Sequence, residues 1–415
     1  MNSFVRDERG ASAVLLAIMF PVILGGVGFG VETGYWYLKQ RKLQHVADLA
    51  AHAAGIGLRS GGSQQDLEAR ARRIAEQSGI PPGEVSISVM TPPGSGPNSG
   101  SRGHVEVVLE TSTPRMVTAV FGPDDIRFVA RAVARVDGGG HLCVLSLSPS
   151  RAGAVQVDGS ADLSLEGCSV GANSSDPRSF IMDGSGSSLA AECVYTAGGA
   201  TTGTGIELEC GKIVENAAPT PDPYAKVPEP YARHIPCRFT GISLLGTTYL
   251  TPLDSIGGYP AMRICSGMRV NGNVFLMPGI YIFDGGSLTV NAGASIRGSG
   301  VTLYLTGNAR AEISGAAETD LSAPVWGAYQ GMLIFGDRDD SVTHSVSGNS
   351  SSNLKGAIYA PRSAVAFSGS SSVTGTCVQI VADRVTFAGR ASLTLDCGNT
   401  GMRDIRSGQT VALVE

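Results

Sequence analysis

The residues best equipped for chemistry in this sequence are its eight cysteines: Cys143, Cys168, Cys193, Cys210, Cys237, Cys265, Cys377 and Cys397. A thiol can attack as a thiolate, ligate zinc or close a disulfide. No CxxC or CxxH pair occurs, which argues against zinc. The number is even and none precedes Cys143, so the set reads as structural disulfides made in an oxidising compartment. Cys193 with Cys210, or Cys377 with Cys397, are plausible neighbour pairs, and spacing leaves the connectivity open. Gly167-Cys168-Ser169-Val170-Gly171 has the GxSxG spacing of hydrolases, but that chemistry needs a helix after the turn. The following Ala-Asn-Ser-Ser-Asp-Pro-Arg-Ser supplies none. Six histidines, His45, His52, His104, His141, His234 and His344, are dispersed without an HExxH pattern. His45 and His52 lie two helical turns apart and read as one solvated face. Asp337, Asp339 and Asp340 form the one dense acidic cluster of the C-terminal half. They read as a solvated turn, against the rival that they serve a polysaccharide-active enzyme. No catalytic residue, cofactor or small-molecule substrate is expected, and the chain is not expected to be an enzyme.

These residues sit in a chain of 415 residues, enough for one to three domains. Glycine is abundant (56 residues), and charged and aromatic residues are sparse (16 % and 6 %). That mixture suits short strands and tight turns, and it lacks the low-hydrophobicity, high-charge signature of disorder. The net charge of -5 and the scattered Lys and Arg argue against nucleic acid as a partner.

Residues 11–31, ASAVLLAIMFPVILGGVGFGV, carry no charge. As a helix this run is about 32 Å long, enough to cross a bilayer. It passes directly into further helical sequence, so a retained single-pass anchor is expected and not a cleaved signal. Pro21 is expected to kink the span, and Tyr35, Trp36 and Tyr37 fall where an interfacial aromatic belt would lie. Arg6 and Arg9 precede the span and Lys39, Arg41 and Lys42 follow it, so charge counting favours the C-terminal side inside. The cysteines demand export, and long domains are translocated largely regardless of charge. Gly26, Gly30 and Gly34 give overlapping GxxxG spacing, a face on which a partner transmembrane helix can pack closely. Glu32, at the outer boundary, is expected to face water, with pairing to a partner as the alternative.

The run RDERGASAVLLAIMFPVILGGVGFGVETGYWYLKQRKLQHVADLAAHAAG resembles the N-terminus of TadG-like proteins of the TadE/TadG family, which belong to the tight-adherence (Flp) pilus assembly machinery. The resemblance spans roughly the first 55 residues. It implies a bacterial inner-membrane protein with its C-terminal domain in the periplasm, and pilus machinery or pseudopilins as partners. Related pseudopilins carry Glu five residues after the glycine that precedes the peptidase cut. Counting from Gly10, that position is Leu15, with Leu16 in place of a common aromatic, which argues against processing and against polymerisation as a pilin. Many TadG-like proteins also carry a von Willebrand A domain that binds a divalent cation through DxSxS. Asp183, Ser185 and Ser187 match that spacing. No helix pattern follows them, and the similar Val157-Asp158-Gly159-Ser160 lies nearby, so the motif reads as a repeated turn and no metal is expected.

After the anchor and its helical extension (1–58), residues 59–140 read as a small pilin-like α+β module: helix 65–78, strands 85–89 and 104–113, a short helix at 116–121 and strand 126–136. Beyond it helices almost vanish. Segments such as SLTVNAGASIRGSGVTLYLTG and RVTFAGRASLTLDCG repeat apolar alternation broken by glycine at irregular spacings of roughly 20 to 25 residues. The fold class is therefore mainly β, with these units stacking as a β-solenoid, a right-handed parallel β-helix, and with a β-sandwich as the alternative. The β-rich repeats cover 141–218 and 237–397, divided by the Pro-rich connector 219–236, and 398–415 is a tail without pattern. The expected function is a membrane-anchored, non-catalytic component of Tad/Flp-type pilus assembly. A surface adhesin-like module or a polysaccharide-active β-helix enzyme are the alternatives.

Overall fold

The computed structural model describes residues 9–60, 62–137, 139–184, 186–230, 234–348, 352–369, 377–394, 400–408 and 410–415. The chain forms two compact units, 1–138 with 409–415, and 139–408.

The first unit is built on helix α1, Arg9–Arg59, which runs unbroken through Pro21. From Ala13 to Val31 its apolar side chains are exposed. Its second half buries Leu43, Val46, Ala47, Ala50, Ala51 and Ala54. The small residues of this stripe let the helix lie close on an antiparallel sheet of β1 (Ser86–Met90), β2 (His104–Thr113), β3 (Ile126–Asp137) and the strand Thr410–Leu413. Helix α2, Gln64–Gln77, closes the core with Leu67, Ala71 and Ala75, and Ser63 and Asp66 form a capping box at its start. Gln40 Nε2 and Gln44 Nε2 donate to the Val129 and Arg131 carbonyls at 2.9 Å, fastening α1 to β3. The expected short helix is a single 3-10 turn, Thr118–Phe121. The tail is structured: Thr410–Leu413 pairs with β3, and within the second unit Arg406–Ser407 pairs with Gly140 and His141.

The second unit is a β-solenoid of about 10 turns. Its turns pair in parallel register, which excludes the sandwich. One ladder of register partners runs Leu244, Val270, Val290, Ile313, Val346, Phe367, Phe387, Val157, Met182, Thr202. All but the last are buried in one continuous core. Alternation along each strand puts one apolar residue of each rung on this inner face.

The ladder order differs from the chain order. The chain enters the solenoid at Gly140–Ser146, on the third turn from one end, and builds outward through Ser169–Ala172 to Val194–Thr196. It then returns to the opposite end at Cys237 and fills the remaining turns until Ile380–Ala382 pairs with Val144–Ser146. Residues 219–230 and 234–236 lie along the outside as the strap that makes the return. Asn173 exchanges hydrogen bonds with the Thr220 backbone, both 2.7 Å. Tyr224 Oη donates to Gln379 at 2.6 Å, and Tyr359 Oη donates to Asp222 at 2.8 Å. Arg338 donates to the Tyr224 and Val227 carbonyls, and Arg263 to the Ile235 carbonyl. From the Asn173 turn to the Arg263 turn these contacts span about seven strand spacings, or roughly 34 Å. Fifteen extended residues can reach about 50 Å.

The strap also explains a second core. Ile282, Tyr304, Phe335, Tyr359, Val381 and Leu145 are register partners pointing outward, and Tyr224, Val227 and Ile235 cover them. Strands of this ladder are therefore buried on both faces, and their sequences lose alternation.

Disulfides join turns adjacent in the stack: Cys143–Cys168, Cys193–Cys210 and Cys237–Cys265. The last two staple the two ends, where a turn has a neighbour on one side only. Cys377 is disulfide-bonded as well, and Cys397 lies outside the described residues. Closing loops of 17 and 28 residues contributes about 3 kcal/mol each in the chain-entropy account.

Two stability measurements test this architecture. Tyr224→Ala removes the largest strap side chain, fully buried, and is expected to cost roughly 3–5 kcal/mol, read as a lowered urea midpoint. Tyr224→Phe, losing only the hydroxyl bond, should cost about 1 kcal/mol. His344 is buried inside the solenoid, and burial followed by the charge of Arg310 pushes its pKa down from 6.5 to about 4. Between those values the unfolded chain binds the proton and the folded one does not, so stability is full above pH 6.5 and falls on acidification. The expected slope is up to about 1.4 kcal/mol per pH unit, levelling near pH 4. Urea midpoints against pH should show it in the natural chain, and His344→Leu should flatten it.

Candidate functional site

Three regions of the molecule carry features that packing alone does not use up. On α1, the apolar window from Ala13 onward meets the length and composition of a membrane span, and none of it is buried. Gly26, Gly30 and Gly34 lie on this half, and a Cβ built on any of them meets nothing within 4 Å. The face is open. Beyond the span the helix is taken up by the first unit: Trp36 packs against its core, while Tyr35 and Tyr37 stay exposed. Lys39, one of the three basic residues after the span, donates to Thr113 Oγ1 and lies 5.7 Å from the centre of the Phe128 ring. His45 and His52 are both exposed, on one face of α1.

Glu32 departs from expectation. Its side chain is 2 % exposed and does not face water. Its carboxylate accepts the backbone N–H of Met116 at 2.6 Å and of Thr118 at 2.7 Å. The β2–β3 loop arrives at the helix with two backbone amides that have no strand partner, and a buried carboxylate satisfies both. One helical turn earlier, a Cβ on Gly28 would come within 2.9 Å of Val117 Cγ1, so this glycine is what lets the loop lie flat on the helix. Sequence reasoning missed this arrangement because the loop is more than 80 residues away.

The other sequence candidates are absorbed by the fold. Asp183 is exposed, Ser187 Oγ donates to the Gly184 carbonyl at 3.0 Å, and Ser185 lies outside the described residues. Asp337 accepts the Tyr304 and Thr306 hydroxyls, and Asp340 accepts the Asn308 N–H at 2.7 Å. Both act as turn fasteners between neighbouring coils. Cys168, in the GxSxG match, is disulfide-bonded to Cys143. Among the described residues no group of three or more His, Cys, Asp or Glu is placed to hold a metal ion.

One feature had no counterpart among the sequence candidates. A groove of about 580 Å³ on the solenoid is lined by Tyr259, Pro278, Trp326, Tyr329 and Lys355. Trp326 is 68 % exposed, 5.9 Å from Tyr259, which meets Tyr329 edge-on at 5.6 Å. Tyr259 Oη accepts the Ala328 N–H at 2.6 Å, and Gly327 between them, at φ +89°, leaves no room for a Cβ beside that hydroxyl. The signal in the sequence was the segment APVWGAYQG, one of only two tryptophans set between proline and glycine.

Comparison with known families agrees with this division. Residues 10–73 match the TadE/G-like family of Flp pilus assembly, and residues 271–397 match a domain family of unknown function, DUF7305. No curated protein and no solved structure matches the chain. The first match covers α1 from Gly10 onward and the first ten of the fourteen residues of α2, and the second lies within the solenoid.

If Glu32 holds the loop, Glu32→Ala should raise amide hydrogen exchange at Met116 and Thr118 at least tenfold, with exchange in β1 unchanged. The TadE/G-like match over residues 10–73 lies on a helix long and apolar enough to span a membrane, and it supports a TadE/TadG assignment for that segment.

Proposed function

We propose that the chain is a membrane-anchored, non-catalytic component of Tad/Flp-type pilus assembly, fixed in the bacterial inner membrane with both folded units in the periplasm. The observation that carries this reading is the TadE/G-like match on a helix whose apolar half is exposed and whose other half belongs to a folded unit. The direct partner is a transmembrane helix of the pilus machinery or a pseudopilin, packed on Gly26, Gly30 and Gly34. The open space over these three glycines supports that contact, since glycine lets two backbones approach closely in lipid. Disulfides between neighbouring solenoid turns support export to an oxidising compartment. The engagement of Asp337 and Asp340 in turn hydrogen bonds supports a structural role for the acidic cluster. In this reading the solenoid is a spacer and contact surface, reaching from the membrane toward outer-envelope or pilus components.

A second reading, a surface-binding module of adhesin type, is favoured by the aromatic groove at Trp326. Exposed aromatic faces bind the apolar faces of sugars or peptides, and Trp326→Ala would then abolish binding to whole cells or polysaccharide without altering piliation.

The assembly reading is tested by Gly30→Leu. A leucine meets no obstacle within this chain but fills the proposed helix contact. Recovery of pilus-machinery proteins with the solubilised chain should fall at least fivefold, with membrane insertion unchanged. Unchanged recovery would contradict the helix contact.

A further inference from the structure

The loop joining β2 to β3 has the wrong surface for water. From Met116 to Pro123 it carries no charged residue. Met116, Val117, Val120 and Phe121 are 63, 42, 88 and 84 % exposed. Four large apolar side chains on one short turn are unusual on a solvated domain, where such residues occur singly. The loop is not a loose excursion. Arg115 Nε donates to the Asp124 carbonyl at 2.9 Å across its base. Glu32 holds the amides of Met116 and Thr118, and Val117 lies against the bare backbone of Gly28.

Those two helix positions set the depth of the loop. At 1.5 Å per residue, Gly28 lies about 5 Å inside the end of the apolar run at Val31. A loop pinned between Gly28 and Glu32 is level with the last turn of the span. Its exposed side chains therefore stand where the acyl chains meet the headgroups, the depth at which amphipathic segments without a full span bury their apolar faces. The buried carboxylate also fits this position. Backbone amides this close to lipid need an acceptor from the protein, and Glu32 supplies both oxygens.

We propose that residues 116–121 are a second membrane contact, dipping into the leaflet on the side of the folded units and fixing the first unit against the bilayer at two points. The occupant is lipid, because the loop is continuous with the exposed apolar face of the span to which it is fastened. The inference rests on reading α1 as a membrane anchor. Its consequence is orientational: one helix alone leaves a domain free to tilt relative to the bilayer plane, and a second contact restrains that tilt.

The test uses the full chain reconstituted into vesicles of phosphatidylethanolamine and phosphatidylglycerol with brominated acyl chains. In a Trp36→Phe/Trp326→Phe background, Phe121→Trp reports on the loop and Ile23→Trp reports on the span. Both should be quenched by bromolipid, the loop reporter at least half as strongly as the span reporter, with little quenching of either by aqueous iodide. Adding Glu32→Ala should at least halve bromolipid quenching of the loop reporter and leave the span reporter unchanged. A loop reporter quenched by iodide and untouched by bromolipid, beside a span reporter that is quenched, overturns the loop contact alone. Loss of bromolipid quenching at both positions overturns the anchor reading, and this proposal with it. Because the Trp36 replacement touches the first unit's core, the same pair of reporters read by difference in the natural tryptophan background gives a second measurement with the same two outcomes.

Discussion

One helix has to satisfy two surroundings, and the rest of the first unit follows from that. Over its first half α1 offers lipid an unbroken apolar surface, with backbone groups bonded internally. Over its second half the same helix is a core element, with Val46, Ala47, Ala50, Ala51 and Ala54 at the centre of the packing. No linker intervenes between the two halves. The change of surroundings falls at Glu32, whose carboxylate is buried and occupied by two loop amides. A charged residue at the end of a span is costly unless paired, and here its pairing fastens the sheet to the helix. Membrane attachment and domain folding are therefore mechanically one structure.

The solenoid meets a different constraint. Parallel coils stack a continuous core, but the end coils lack a neighbour. This chain enters its stack at an internal turn, so a return segment is unavoidable, and the return does structural work. Tyr224, Val227 and Ile235 of this return cover the outward face of one ladder, and Tyr224, with its hydroxyl pushed up to about 12 by burial, remains a donor to Gln379 across any physiological pH. Disulfides Cys193–Cys210 and Cys237–Cys265 fall at the two ends, where packing is weakest.

What could be read from the sequence follows the range of the interactions responsible. The span, helix α2, β2 and β3 depend on local composition and periodicity, and β2 was legible to the residue as 104–113. The repeat class was legible from glycine-broken alternation. The order of the coils was not, because it is set by the pairing of 380–382 with 144–146, more than 200 residues apart. A trace of it was present. Runs such as GIYIFD, VTLYLT and MLIFG are apolar without alternation, as expected of strands covered on both faces. Their cover was the very segment whose prolines read as a divider. Of the candidate site, the glycine stripe was legible from its spacing, and the Glu32 clamp and the groove at Trp326 were not, since each joins residues distant in the chain or set by a turn.

The most direct test of the central claim is a count of sheared surface pili from cells lacking this chain, set beside cells in which it is restored. The account predicts that pili are lost without the chain and return when the natural sequence is supplied. Normal piliation in its absence would contradict an assembly role.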